Sequence, residues 1–522
     1  MARGRQSFLF GAMTLSGAVA VTKVLGALYK IPLGNLLGSE GMAHFYAAYN
    51  VFNVLVMLCA GMPAAMSRAV SQSCALGRRD AARRTFYTGG LLLGLIGVVG
   101  ALAMGLFAPR LASLLHDPGA IGAIRALAPA LPAMSLCGAV RGYTQGLGDM
   151  RSTAVSQVLE SVGKLAVGLG GCWLLLRRGF PVEDAVSGAL KGVAAGGFLA
   201  LGYLLLRLRR IRADAVWCRP RAGDAARLLR VAVPMTLSAA GMSVLTLLDQ
   251  ALVLRTLQHT LSYSPAEAAA AYGEYTFGMT LFVLTPSLIM PLSAALMPGI
   301  SGALAAGHEK AASRYTWQAL RLAAFVGIPL GVGLSALAGP LLQMLYPAQP
   351  LAAQAAAWHL RVLGIAAVFV GLSAVSGGIL QAYGKHRVPL VSLALGGSAK
   401  ILCDLFLVAQ EDIAVRGVSI GTLMCYGLMC AVQLRAVRRC SGSEKARRSL
   451  FWCTSLSAVT MALAAKSLYG LLKITCSTAL ACCCAAATGG AVYLILMLSL
   501  GGITTREIQK LLPRRGTRRF CT

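Results

Sequence analysis

Two lysines stand seven residues apart inside the first long apolar run of the chain. Lys23 and Lys30 are about two helical turns apart, so a helix would place both on one face, together with Ser16. A charged side chain near the centre of a span costs about 2.5 to 3.5 kcal/mol by insertion scales, so each indicates a water-filled cavity or a partner. The pair could bind a diphosphate. Alternatively, Lys30 reaches the membrane interface and Lys23 pairs with an acid.

Three further ionisable residues lie in apolar runs of the second half of the chain. Asp249 and Arg255 share one run, and Glu274 opens the next. We expect the helix carrying Asp249 to face the first helix across a cavity. Asp249 could then pair with Lys23 or Arg255 in one state and release it to a ligand in another. A fixed structural ion pair is an equally good interpretation.

Two other acid–base pairs have the spacing of neighbours on one helix. Glu160 and Lys164 are four residues apart, and Lys400 and Asp404 have the same spacing in the opposite order. Such pairs neutralise each other and lower the cost of membrane insertion without a ligand. We therefore interpret both pairs as structural.

The composition places these residues in a membrane protein. The chain has 522 residues, of which 57% are hydrophobic and only 13% are charged, and its mean hydropathy is +0.70. A span needs about 20 apolar residues, because lipid offers the backbone no hydrogen-bond partner. We predict fourteen transmembrane helices, near 8–30, 42–66, 86–108, 120–146, 153–176, 184–206, 229–255, 272–298, 318–342, 356–381, 388–408, 414–434, 451–472 and 474–500.

The net charge of +30 is concentrated in every second gap between these runs. Short cytoplasmic loops are rich in Lys and Arg, so this alternation predicts that both termini are cytoplasmic and argues against a nucleic-acid partner. The intervening gaps 256–271 and 343–354 contain no Lys or Arg. The basic residues are Arg3, Arg5, Arg78, Arg79, Arg83, Arg84, Arg207, Arg209, Arg210, Arg212, Lys385, Arg387, Arg438, Arg439, Arg447, Arg448, Arg514, Arg515, Arg518 and Arg519.

The chain contains an internal duplication. Residues 136–165 align with 372–401 at an offset of 236, which sets Lys164 opposite Lys400. Because six spans is an even number, the two copies enter the membrane in the same direction and are related by an axis along the membrane normal. We predict an all-α integral membrane fold with two parallel six-helix lobes around a central cavity. The predicted divisions are 1–212, 213–440, and 441–522 with two extra helices and a basic tail.

Several strings resemble the stage V sporulation protein B family, which belongs with the polysaccharide and lipid II flippases of the MOP exporter superfamily. Thr22–Gly26 is also similar to a pattern whose basic residue lines the cavity of lipid II flippases. The second helix departs from those relatives, because it carries no basic residue between Val51 and Ser67. The strings are LYKIPL at 28–33, GSEGM at 38–42, GMPAAMSR at 61–68, RGYTQG at 141–146 and TAVSQ at 153–157.

The resemblance implies a bacterial plasma-membrane flippase that acts by alternating access on an undecaprenyl-diphosphate-linked sugar precursor of the cell wall. Lys23, Lys30, Asp249, Arg255 and Glu274 are the predicted substrate-binding residues. We expect no catalytic residue, metal or cofactor; coupling to membrane potential, Na⁺ or H⁺ is left open. The alternatives are a drug or cation antiporter of the same superfamily, a membrane enzyme that uses the same lipid, and a non-transporting scaffold for wall or spore cortex synthesis.

Overall fold

The computed structural model describes residues 2–211, 218, 222–294, 296–442 and 447–500. All regular structure in these ranges is helical. The helices are α1 (Ala2–Cys59), α2 (Gly61–Ala75), α3 (Arg79–Leu106), α4 (Ala108–Leu114), α5 (Ala120–Leu127), α6 (Ala130–Gly146), α7 (Met150–Arg177), α8 (Val182–Ile211), α9 (Ala222–His259), α10 (Pro265–Phe282), α11 (Leu284–Ala294), α12 (Met297–Ala305), α13 (Glu309–Ala336), α14 (Ala338–Leu345), α15 (Pro350–Ala382), α16 (Arg387–Leu407), α17 (Arg416–Ser441), α18 (Arg447–Leu472) and α19 (Thr478–Ser499).

Within the described residues, twelve helices are long and apolar enough to cross a membrane. Two features separate this number from the predicted fourteen. The first two predicted runs are joined in the 58-residue helix α1. The predicted eighth run, 272–298, is divided among the short helices α10, α11 and α12. The membrane-spanning, all-helical class is confirmed, and the count of fourteen stays a prediction.

Gly38 interrupts α1 and divides it into two arms. Its φ of 70° and ψ of −172° are not helical. A side chain makes positive φ unfavourable, so glycine permits the chain to bend here at little cost. The first arm carries Lys23 and Lys30, and the second continues into α2.

Following the duplication, we divide the helices into two lobes and a terminal pair. Helices α1 to α8 supply the first lobe, and α9 to α17 supply the second. Helices α18 and α19 pack on each other and against α13 and α14 of the second lobe. The predicted boundaries after residues 212 and 440 stay predictions.

The lobes are in contact through α1, α2 and α3 on one side and α9 and α10 on the other. Further polar contacts lie at the two ends of the molecule. At one end, which we call the Gly38 end, Asn35 Nδ2 donates a hydrogen bond to the carbonyl of Leu345 at 2.7 Å, and Gln258 Nε2 donates to the carbonyl of His116 at 2.6 Å. At the other, the Arg84 end, Arg84 Nε lies 3.8 Å from Asp224 Oδ2. The cavity described below lies between these two contacts.

Glycines bring α7 and α8 together inside the first lobe. A Cβ atom added at Gly163 would lie 2.8 Å from Gly196 Cα, and one added at Gly192 would overlap the backbone of Gly168. Small residues allow such close helix packing in membranes, where van der Waals contact replaces the hydrophobic effect between helices. This contact fixes α7, which carries Glu160 and Lys164.

Replacing Gly192 with alanine should destabilise the first lobe, because the added methyl group has no room. We expect Gly192→Ala to lower the free energy of unfolding in detergent by about 1 to 3 kcal/mol. The matched control is Gly202→Ala on the same helix, since a Cβ at Gly202 meets nothing within 4 Å. Equal stability of the two variants would show that α7 and α8 do not pack this closely.

Candidate functional site

A cavity of about 290 Å³ lies between the lobes, against the first arm of α1. Helices α1 and α7 supply one wall, and α10 and α11 supply the other through Thr280, Leu284 and Ser287. The charged residues that line it are Lys23, Lys30, Lys164 and Glu160. The predicted position of Lys23 and Lys30 on one cavity-facing side of α1 is therefore found, while their role in binding stays a prediction.

The cavity is closed toward the Gly38 end. There the rings of Phe277 and Tyr346 stack with centroids 4.2 Å apart, and a Cβ on Gly34 of α1 would lie 2.6 Å from the Tyr346 ring. Lys30 is half-buried, whereas Lys23, about 10 Å further along the helix, is exposed. The cavity consequently opens away from the Gly38 end.

The two deeper lysines of the cavity contact tyrosines. Lys30 Nζ donates to Tyr46 Oη at 2.9 Å and lies 5.7 Å from the centre of the Tyr49 ring. Lys164 Nζ donates to Tyr49 Oη at 3.4 Å and lies 4.7 Å from the centre of the same ring. Tyrosine faces and hydroxyls stabilise an ammonium group without neutralising its charge.

Glu160, the one acid among the described residues that line the cavity, pairs with a different base. Arg141 Nη2 donates to Glu160 Oε2 at 2.9 Å, and Arg141 Nε donates to Ser156 Oγ at 2.9 Å. The interpretation of Glu160 and Lys164 as an intrahelical pair is therefore wrong. The Arg141 side chain on α6 reaches Glu160, and the Lys164 side chain turns instead toward the tyrosines of α1.

Asp249 lies in a buried charge cluster inside the second lobe. Its Oδ1 is 2.7 Å from Lys400 Nζ, which is also 3.4 Å from Asp404 Oδ2. Lys400 Nζ further donates to Thr422 Oγ1 at 3.0 Å. The predicted Lys400–Asp404 pair is confirmed. Asp249 takes part in a fixed ion pair, as one of our two interpretations held, but its partner is Lys400 and not Lys23 or Arg255. This cluster joins α9, α16 and α17.

The two other predicted residues also lie away from the cavity. Arg255 is exposed on α9, near His116 at the Gly38 end, where burial and then the charges of His259 and Arg255 lower the pKa of His116. Glu274 is half-buried on α10, close to Arg416 at the start of α17. Neither residue is among the described residues that line the Lys23 cavity, so the structure does not gather the five predicted residues at one place.

Comparison with known proteins agrees with this architecture. Residues 8–304 match the family described as polysaccharide biosynthesis protein, and residues 234–404 match the MatE family. The chain is 26% identical to the lipid II flippase MurJ of Bacillus subtilis (strain 168), over 81% of this chain and 82% of the relative. It is 24% identical to stage V sporulation protein B of the same organism, over 80% of each. The solved lipid II flippase MurJ in an inward closed conformation aligns with a TM-score of 0.69 at 14% identity, covering 97% of this chain and 99% of that one.

The helical bundle with a cavity between two lobes is that of a multi-pass membrane transporter or flippase of the MOP superfamily, which also includes the MATE transporters found among its structural neighbours. The relatives and structural neighbours whose names state a role are flippases and transporters, not catalytic enzymes. The chain belongs to the polysaccharide biosynthesis protein family, whose match covers more than half of its length.

The buried cluster predicts different stability effects for the two repeat-related lysines. Lys400→Met leaves Asp249 and Asp404 buried without a cation, which should lower the free energy of unfolding by about 3 to 5 kcal/mol. Lys164→Met removes a lysine that has no carboxylate within ion-pair distance among the described residues, and we expect little change. Unfolding in mixed micelles compares the two. Equal losses of unfolding free energy in the two variants would contradict the assignment of Lys400, and not Lys164, to a structural cluster.

Proposed function

We propose that this protein transfers an undecaprenyl-diphosphate-linked sugar precursor, of the lipid II type, from the inner to the outer leaflet of the bacterial plasma membrane. One observation carries the proposal. Three lysines line the cavity, and the acid that lines it with them is already paired with Arg141. Unneutralised ammonium groups at membrane depth are costly, and an anionic substrate would balance them.

The sign of this charge separates the proposal from its main rival. A drug or cation antiporter needs a cavity that attracts positive substrates. Here the lysines would repel a cation, and the acids of the second lobe, Asp249 and Asp404, are occupied by Lys400. The match of residues 234–404 to the MatE family therefore supports a shared fold and not a shared substrate. The names of the relatives, lipid II flippase and stage V sporulation protein B, favour the lipid-linked precursor.

The contacts between the lobes give the proposed cycle its two gates. With the Gly38 end closed, parting of Arg84 from Asp224 at the other end admits the head group past the exposed Lys23. Release on the other side requires parting of Asn35 from Leu345 and of Gln258 from His116. Parallel repeats can rock about the membrane normal in this way, exposing one site alternately to each side. The lipid tail stays in the bilayer, and the pair α18 and α19 offers it an apolar surface beside the second lobe.

The membrane potential supplies a driving force in this proposal. In this proposal both termini lie in the cytoplasm, as the basic gaps predict, and the potential there is negative. Moving the two charges of a diphosphate outward then gains roughly 4 to 5 kcal/mol per 100 mV. ATP is not required, and the sequence contains no Gly-x-x-x-x-Gly-Lys-Ser/Thr phosphate loop.

Removing the charge of Lys23 should slow head-group translocation in reconstituted vesicles. We expect Lys23→Ala to reduce the rate about tenfold, and Lys23→Glu to reduce it further, because a carboxylate repels the diphosphate. Fluorescent head groups that become accessible to a quencher report the rate. Unchanged rates in both variants would remove Lys23 from the site, and no translocation by the wild type would favour the scaffold.

An imposed potential should set the direction of transport. A potassium diffusion potential of 100 mV, negative on the Lys23-accessible side, should shift the steady-state distribution of a diphosphate lipid toward the positive side by up to about a thousandfold. The matched control is the same vesicle with the potential collapsed by ionophore. Transport that follows a Na⁺ or H⁺ gradient but ignores the potential would contradict this driving force.

A further inference from the structure

We infer that Lys164 and Lys30, arranged around Tyr49, form a second anion-binding subsite that takes a carboxylate of the head group, separate from the diphosphate at Lys23. We call these three residues the Tyr49 subsite. The inference rests on the proposed function and adds a specificity determinant to it: the substrate carries an acidic group on its sugar or on a substituent of the sugar.

The geometry of the Tyr49 subsite is that of a small basic box. The two ammonium nitrogens lie 5.7 and 4.7 Å from the centre of the Tyr49 ring, and both side chains line the cavity. Lys164 Nζ is also 4.9 Å from the centre of the Tyr29 ring. Tyr46 Oη accepts a hydrogen bond from Lys30, and Tyr49 Oη accepts one from Lys164. Each ammonium retains further donors for a carboxylate, since it carries three N–H groups.

No acid in the described part of the chain neutralises this box. In the first lobe Glu160 pairs with Arg141 and Asp149 with Arg207. The other acids found in ion pairs of this lobe contact His44 or Arg83. Among the described ion pairs, none includes Lys30 or Lys164. Two cations that contact the same tyrosine ring and have no carboxylate within ion-pair distance favour a bound anion at this place.

The duplication supplies an internal comparison. Lys164 and Lys400 occupy matching positions in the aligned repeats. Lys400 is 6% exposed, and its ammonium group is held by Asp249 and Asp404. Lys164 has neither acid and faces the cavity instead. One copy of the repeat thus encloses its lysine in a structural cluster, whereas the other leaves the lysine free to contact a substrate.

A diphosphate alone does not account for the third lysine. Its two charges sit on adjacent phosphates, and Lys23 lies about 10 Å along α1 from Lys30, nearer the cavity entrance. A diphosphate held at the entrance, close to the lipid tail, leaves the Tyr49 subsite for a group further along the head. Carboxylate oxygens accept charge-assisted hydrogen bonds from ammonium groups, which suits this position.

The experiment compares two undecaprenyl-diphosphate lipids in reconstituted vesicles. One has a head group with a free carboxylate on the sugar, and the other has the same carboxylate converted to the amide. The variants are Lys164→Gln, Lys164→Arg and Lys23→Gln. The control is Lys191→Gln, because Lys191 is an exposed lysine on α8 that is not among the described residues lining the cavity. Elution as a monodisperse species and unchanged unfolding verify that each variant is folded.

We expect Lys164→Gln to slow the carboxylate lipid at least about tenfold and to slow the amide lipid much less, because only the first loses a partner for its carboxylate. Lys164→Arg should restore most of the rate, Lys23→Gln should slow both lipids, and Lys191→Gln should slow neither. If Lys164→Gln slows both lipids equally, or neither, the Tyr49 subsite is refuted while the flippase proposal stands. If the wild type moves neither lipid, the proposed function fails and this inference fails with it.

Discussion

An ammonium group within a membrane needs a carboxylate, water or an anionic ligand, and this requirement organises the whole molecule. Lipid provides none of the three, and each unneutralised charge at the centre of a span costs about 2.5 to 3.5 kcal/mol by insertion scales. The second lobe meets the requirement internally, because Asp249 and Asp404 surround Lys400. The first lobe meets it only in part, because Glu160 serves Arg141 and leaves Lys164 to the cavity. The positive charge of the cavity follows from that difference.

The rest of the fold keeps these lysines at a wetted surface while allowing the lobes to move. Close glycine contacts between α7 and α8 hold the helix that carries Lys164. The kink at Gly38 lets the first arm of α1 line the cavity while the second arm joins the body of the lobe. The lobes meet through an apolar interface of α1 and α2 with α9 and α10, and through polar contacts such as those of Asn35 and Arg84.

Much of this architecture could be predicted from the sequence, and the exceptions have a common physical cause. The spans, the duplication and the shared face of Lys23 and Lys30 depend on local patterns of hydropathy and helical spacing, and such patterns are legible in one sequence. The partners of Glu160 and Asp249 could not be predicted in this way, because Arg141 and Lys400 reach them from other helices. Spacing along one helix indicated Lys164 as the partner of Glu160 instead. Lys164 was interpreted as structural for the same reason. Its alignment with Lys400 could have indicated that it faces the cavity, because Lys400 is followed four residues later by Asp404, whereas Lys164 is followed at that distance by Gly168. The eighth run was predicted as a single span and is instead divided among α10, α11 and α12; Pro286 and Pro291, residues of the kind that break or kink helices, lie in that run.

The central claim is that the head group of a lipid-linked precursor lies in the cavity beside Lys23. Site-specific photo-crosslinking tests it most directly, with a photoreactive residue at Ser287, which lines the cavity, and at Leu102, which is 57% exposed on α3. The account predicts an adduct with a radiolabelled undecaprenyl-diphosphate sugar at position 287, lost on competition with unlabelled lipid, and no such competed adduct at position 102. Equal labelling at both positions, or labelling at 287 that excess unlabelled lipid does not reduce, would contradict it.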